Sequence, residues 1–236
     1  MLETLPCEEY VTFIEEIKGT IIIVAVYINN DKKNYDELVK CLIQLREIYV
    51  NNIIVAVDNG SLNNTWYNIA KELNIKILYN DSVLYRFEIG AYKKALQHFR
   101  ADKYIFIQGT IFINNELNLS QLDTDEGMAI SFGILLNNLC WSNDGLNLIN
   151  QMLLSINMDV WNNDPIVLWN CFCCNNIFIN NMLKSGVFNI ISNTKEHSCA
   201  FERILGVYFN KKLKNINVIN NNSFRKIFLN QDNPKF

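Results

Sequence analysis

The sequence predicts an α/β fold: one mostly parallel sheet flanked by helices, in a single domain of 236 residues. Three observations predict it. The runs TIIIVAVY (20–27) and NNIIVAV (51–57) are continuous, apolar and rich in β-branched residues, as in strands buried on both faces. Segments with apolar residues at helical spacing follow them, such as Leu38, Cys41, Leu42, Leu45 and Ile48. Strand and helix then alternate as far as residue 108, the pattern of a parallel sheet with right-handed crossovers.

Residues 8–17 read as a short helix that Gly19 breaks. Strand 20–27 leads through a polar loop to the helix at 35–49, and strand 51–57 ends in DNGS before a helix at 63–73. Strand 75–80, a helix at 87–99 and strand 103–108 complete the regular half. Beyond it, 127–135 reads as a strand, 144–158 as a helix, 175–184 as a strand running into a helix, and 201–213 as an amphipathic helix. Residues 216–236 are polar and Asn-rich, the composition of a loosely held tail.

Composition removes several classes of function. Half the residues are hydrophobic, enough for a sizeable core, and 19% are charged. The net charge is -3 with scattered Lys and Arg, so there is no basic stripe for nucleic acid. The longest apolar run near the N-terminus, IIIVAVYI, is far shorter than the ~20 residues of a transmembrane helix. MLETLPCEEY lacks the basic start of a signal peptide, and seven cysteines without scaffold spacing read as reduced thiols. Both point to a cytoplasmic location.

Ligands of open parallel sheets bind beyond the carboxyl ends of the strands. The residues there are Tyr27 to Asn30, Asp58 to Ser61, Asn80 to Arg86, and Gln108 to Thr110. Asp58 is either a turn former or a carboxylate offered to a nucleobase or ribose. Gly90, near a helix start, permits close backbone approach, and a helix N-terminus favours an anion. Arg86 precedes that helix and suits a diphosphate; Lys93 and Lys94 read as ligand cations or as a solvated face. Neither GxGxxG nor GxxxxGK[ST] occurs at a strand end.

Three stretches together resemble the GT-A-type glycosyltransferases of the family 2-like group. They are TIIIVAVYINNDKKNYDELVKCLIQL, IIVAVDNGSLNNT and ILYNDSVLYRFEIGAYKKAL, spread over roughly residues 20–120. The resemblance implies a Rossmann-like GT-A fold and transfer of a sugar from a nucleotide-sugar to a hydroxyl of a glycan or glycoconjugate, with inversion. Residues 20–120 would bind the donor and 121–215 would shape the acceptor side. Asp58 and Asn59 would meet the base, flanked by Tyr27 and Asn29. Arg86, Gly90 and Lys93 would face the diphosphate.

Where the family carries Asp-x-Asp for a divalent metal, Mg²⁺ or Mn²⁺, this chain reads Gln108-Gly109-Thr110. No carboxylate stands there, although metal sites of this kind normally include one. Glu116, Asp123, Asp125 and Glu126 are either relocated ligands or an exposed turn. The departure leaves open a metal-independent transferase, a moved metal site, or an inactive relative kept for binding or scaffolding; a nucleotidyltransferase ranks last.

An inverting transferase needs a base for the acceptor hydroxyl. Glu202 matches the family's acid by place, although Arg203 departs from the pattern. Its other reading is an acid at a helix start. Glu196 and His197 are the runners-up. The cluster CFCC (171–174) with His197 and Cys199 departs from zinc spacing and reads as buried thiols. Trp161, Trp169 and Phe172 read as core residues or as a stacking surface for an acceptor sugar.

Overall fold

The computed structural model describes residues 14–29, 31–135, 143–162 and 164–227. Strand β1 (Glu15–Val26) runs through a seven-stranded sheet between β2 (Ile53–Asp58) and β4 (Phe99–Gln108). Ile21, Ile23 and Ala25 face one core, and Ile22, Val24 and Val26 face the other. A strand covered on both faces must be apolar at both parities, which accounts for the unbroken run.

The helix expected at 8–17 is corrected over residues 15–17, which open β1; residues 8–13 lie outside those described. Glu15, Glu16 and Ile17 pair with Phe99, Arg100 and Ala101 on β4. The register shifts between Ile17 and Thr20, where Gly19 adopts φ 93. The glycine that suggested a helix end instead makes a bulge, and the strand continues through it.

Helix α1 (Lys32–Ile48) starts at Asp31, whose side chain accepts from the Lys33 N–H. Helix α2 (Trp66–Glu72) leads to β3 (Lys76–Tyr79), and α3 (Phe87–His98) leads directly into β4. Strands β4, β1, β2 and β3 are all parallel to one another.

The second half extends the sheet on the other side of β4. Its strands are β5 (Ile111–Ile113), β6 (Ala129–Ser131), β7 (Ile134–Leu135), β8 (Ile166–Val167) and β9 (Phe172–Asn175). Its helices are α4 (Asn143–Ser155), α5 (Asn176–Lys184) and α6 (Lys195–Lys212). Two more strands follow, β10 (Asn217–Val218) and β11 (Phe224–Lys226). The order is β10-β6-β9-β4-β1-β2-β3, with β9 antiparallel to both neighbours. Helices α1 and α2 cover one face, and α3 to α6 the other.

Two expectations need correction here. The strand at 127–135 divides at Phe132–Gly133, and β7 leaves the main sheet to pair with β8. The segment from 216 is not loosely held as far as residue 227. β10 joins β6, and β11 pairs antiparallel with β5 while Phe224 packs edge-on against Phe132. Apolar residues interleaved with Asn suffice to add edge strands. Residues 228–236 lie outside those described.

Candidate active site

Register brings the strand ends together. Ala25 stands beside Gln108 on one side and Val57 on the other; Val26, Asp58 and Tyr79 form the next row. β2 and β4 are two strand spacings apart, so Asp58 and Gln108 end strands roughly 10 Å from each other.

The Asp58 side is knit by its own loop. One Asp58 carboxylate oxygen accepts from the Ser61 N–H at 2.8 Å, and the other from the Tyr67 hydroxyl at 2.6 Å. The carboxylate is 1% exposed. Burial, followed by the bond to Asp58, pushes the Tyr67 phenol above its usual range. Asn59 donates to the Phe87 carbonyl and accepts from Asn80. Asn80 also donates to the Tyr85 carbonyl at 2.7 Å. A Cβ on Gly90 would lie 2.1 Å from that carbonyl oxygen, so the close backbone approach Gly90 permits is made by its own chain. Asn29 accepts from the Asp31 N–H and the Asn34 amide. Tyr27 and Tyr79 stand out beyond this rim, 58% and 55% exposed.

The other predicted cations are dispersed. Arg86 is exposed at the N-cap of α3. Lys93 lies over the Tyr85 ring at 3.4 Å and donates to Asn189, and Lys94 pairs with Asp81. The last turn of β4 holds what the rim does not.

Gln108 is the hub. Its Nε2 donates to Glu88 Oε1 at 2.6 Å and to the Trp169 carbonyl at 2.9 Å. Its Oε1 accepts from Lys226 Nζ, which also donates to the Thr110 hydroxyl. The amide orientation follows from these partners. A flipped amide would turn its oxygen toward two acceptors and its NH₂ toward an ammonium. Glu88 Oε2 accepts from Ser198 on α6 at 2.8 Å. Burial pushes the Lys226 ammonium down from its usual range, with the charges of Glu88 and Glu202 among those pulling the other way.

Trp169 links this hub to Glu202. Trp169 and Asn170 have φ 59 and 55, in the left-handed region. Asn tolerates that region, whereas Trp adopts it at a cost on the order of 1–2 kcal/mol. Asn170 donates to the Ser198 carbonyl at 3.1 Å, which helps hold the turn on α6. The strained turn directs the Trp169 carbonyl to Gln108 and its N–H to Glu202 Oε1, at 2.8 Å. Burial, with the Glu88 charge next in weight, raises the Glu202 carboxyl to about 7.

Glu202 is not at a helix start. Thr194 caps α6 by accepting from the His197 N–H, and Glu202 lies seven residues beyond Lys195, the first of the helix. The dipole reading is therefore corrected. Gly206, one turn on, fixes where α6 sits: a Cβ there would lie 1.5 Å from the Pro165 carbonyl oxygen. Glu196 is exposed in the first turn of α6, and His197 is half-buried.

The acids that could serve as moved metal ligands are elsewhere. Asp123 pairs with Lys103, and Asn175 holds the loop by donating to the carbonyls of Leu122, Thr124 and Glu126. Lys103 is five residues before Gln108 on β4, roughly 17 Å away at strand rise. Glu116, Asp125 and Glu126 are exposed. Cys173 and Cys174 are fully buried on β9, and burial pushes both thiols well up. Phe172 packs in the core against Phe106 and Phe209, while Trp169 meets Phe224 edge-on. Trp161 packs partly buried beside that core and donates to the Asp164 carbonyl.

The chain is similar in fold to solved glycosyltransferases. One is glucosyl-3-phosphoglycerate synthase from Mycobacterium tuberculosis, in complex with Mn²⁺, UDP and glucosyl-3-phosphoglycerate. It is 10% identical, with 82% of this chain and 79% of that one covered at a TM-score of 0.40. Another is the galactosyltransferase LgtC with donor and acceptor sugar analogs, at 12% identity, 85% and 73% coverage and a TM-score of 0.43. TarS 1–349 from S. aureus matches at 13% identity, 79% and 55% coverage and 0.43. No protein-family model matches the chain, and no curated protein matches it by sequence.

The residues at the β4 end do not fit a divalent metal. The two oxygens offered, from Gln108 and Thr110, are neutral and already bonded to an ammonium. Glu88 is engaged by Gln108 and Ser198, and Glu202 by Trp169. Among the described residues, no group of three His, Cys, Asp or Glu side chains could hold a metal ion. Nor is any described helix long and apolar enough to cross a membrane.

Sequence reasoning missed Glu88, Ser198 and Lys226. Glu88 lay inside a quoted stretch, FEIGAYKKAL, but an acid in a first helical turn has an ordinary explanation. Lys226 gave no signal, because only pairing of β11 with β5 brings it to Gln108.

Proposed function

We propose that this protein is an inverting glycosyltransferase that uses a nucleotide-sugar and a hydroxyl acceptor. One observation carries the reading: Glu202, raised to about 7, sits beside a strand end that also bears a half-buried lysine. A base works best when its pKa is near the working pH. A departing nucleoside diphosphate needs positive charge close by. Both requirements meet within one hydrogen-bonded network.

In the proposed step the acceptor oxygen attacks the anomeric carbon and its proton passes to Glu202. The bond from that carbon to the diphosphate oxygen breaks, and the electron pair leaves with the nucleoside diphosphate. Attack opposite the leaving group inverts the anomeric centre. Residues 20–120 take the donor, with the base and ribose along Tyr27, Asn29, Asp58 and Asn59. Arg86 and the start of α3, which has no side-chain cap, face the phosphates. Residues 121–215 shape the acceptor side, where Trp169 stands.

The test is turnover of UDP-, GDP- and dTDP-sugars by wild type and Glu202→Gln, with the product anomer read by NMR. Gln keeps an acceptor for the Trp169 N–H and loses only the basicity. Turnover should fall by roughly 10²–10⁴. Equal turnover, or a retained anomer, would overturn the assignment.

A further inference from the structure

We infer that the Lys226 ammonium takes the place of the divalent metal and makes the strand end a metal-independent diphosphate site. The inference deepens the proposed function and rests on it for the nucleotide, though not for the anion. Three features of the structure carry it.

The first is position. Lys226 Nζ bonds to Gln108 Oε1 and Thr110 Oγ1, the two side chains flanking Gly109 where the resembled family places its metal carboxylates. The second is matched chemistry. A metal-binding pair of carboxylates would attract an ammonium strongly and lock it into an ion pair. A neutral amide and hydroxyl hold it without forming an ion pair with it. That explains why Asp-x-Asp and Lys226 would be redundant, and why this chain has one without the other.

The third is support. Phe224, two residues before Lys226 on β11, is buried against Phe132 and Trp169, and Arg225 lies over the Phe112 ring at 4.7 Å. Lys226 itself pairs with Ile111. Beyond it the Ile227 N–H donates to the Thr110 carbonyl at 3.0 Å, so the strand is fixed on both sides of the lysine and the cation is placed in advance. Lys226 also lines a cleft of about 410 Å³ with Trp169, Phe224 and Gly133.

Calorimetry tests this with pyrophosphate and with UDP, GDP and dTDP, each in EDTA and in Mn²⁺, on wild type, Lys226→Met and Lys226→Arg. Wild type should bind pyrophosphate and one of the nucleotides equally well with EDTA or Mn²⁺. Lys226→Met should weaken both more than tenfold while nucleoside affinity stays within twofold. Lys226→Arg should keep binding within a fewfold, which separates lost charge from lost folding. Pyrophosphate binding that needs Lys226 without any nucleotide binding would support the anion site and sink the nucleotide-sugar reading. Nucleotide binding that requires Mn²⁺, or that survives Lys226→Met, would overturn the lysine's role and leave the transferase reading standing. A wild type that binds no pyrophosphate in EDTA would also overturn it.

Discussion

Two ends of one sheet edge are built in opposite ways. Around Asp58, the side-chain bonds span at most a few tens of residues: Ser61 is three residues on, Tyr67 nine on, Asn80 twenty-one from Asn59, and Ile28 thirty-three before Ser61. Around Gln108, the partners come from α3, the Trp169 turn, α6 and β11, and Lys226 is 118 residues away. The rim is a locally folded frame. The centre is an assembly, and Gln108, Glu88, Trp169 and Lys226 each hold at least two partners in it. Chemistry that depends on exact mutual placement has been given to the assembly, and the frame supplies a shaped surface with exposed tyrosines.

This contrast can be broken or sharpened by experiment. The largest effect should appear in the pH profile. With Glu202 at about 7, kcat/KM should fall about tenfold per unit below that pH and flatten above it. A flat profile from pH 5 to 9 would remove Glu202 from the assembly's chemistry. Gly206→Ala comes next. The new methyl meets the Pro165 carbonyl, so α6 must shift and carry Glu202 with it. A loss of about 3 kcal/mol or more is expected in denaturant melts, since backbone cannot yield as a side chain can.

Tyr67→Phe tests the frame. It strips one buried Asp58 oxygen of its donor and should cost about 1–3 kcal/mol of stability. Turnover at saturating substrate should change little. If Tyr67→Phe instead abolishes turnover at unchanged stability, the rim is chemical and the contrast fails.

The smallest effect is a stability change in Glu202→Gln. A carboxyl whose folded pKa is raised binds its proton more tightly when folded. Its contribution is complete below the unfolded value near 4.5 and is lost as pH rises through about 7. Glutamine escapes that loss. The variant should melt at the same temperature as wild type at pH 4 and a few degrees higher at pH 8.

The same contrast explains what could be read from the sequence. The strand and helix alternation to residue 108 was legible because each element carries its own period, and Asp58 was legible as a strand-end acid in a tight turn. Gln108 and Thr110 could be placed, but their partners could not. The Gly19 bulge looked like a helix break, because a glycine at positive φ serves either use. Glu202 could be singled out, yet its place within α6 could not, since Thr194 and not the apolar stripe sets the start of the helix. Lys226 was invisible because a three-residue edge strand among asparagines has no period to detect.

The sequence distance between Gln108 and Lys226 also sets an order in time. Contacts that close long loops form slowly, because chain entropy is lost before any bond forms in return. The parallel strands β1, β2 and β3 join neighbours through single helical crossovers and can assemble early, with β4 returning to pair with β1. The lysine must wait for β6, β9 and β11 to find their places. In a refolding experiment, the sheet signal should therefore return before the chain regains its grip on pyrophosphate. For that interval the molecule is a finished frame without its cation.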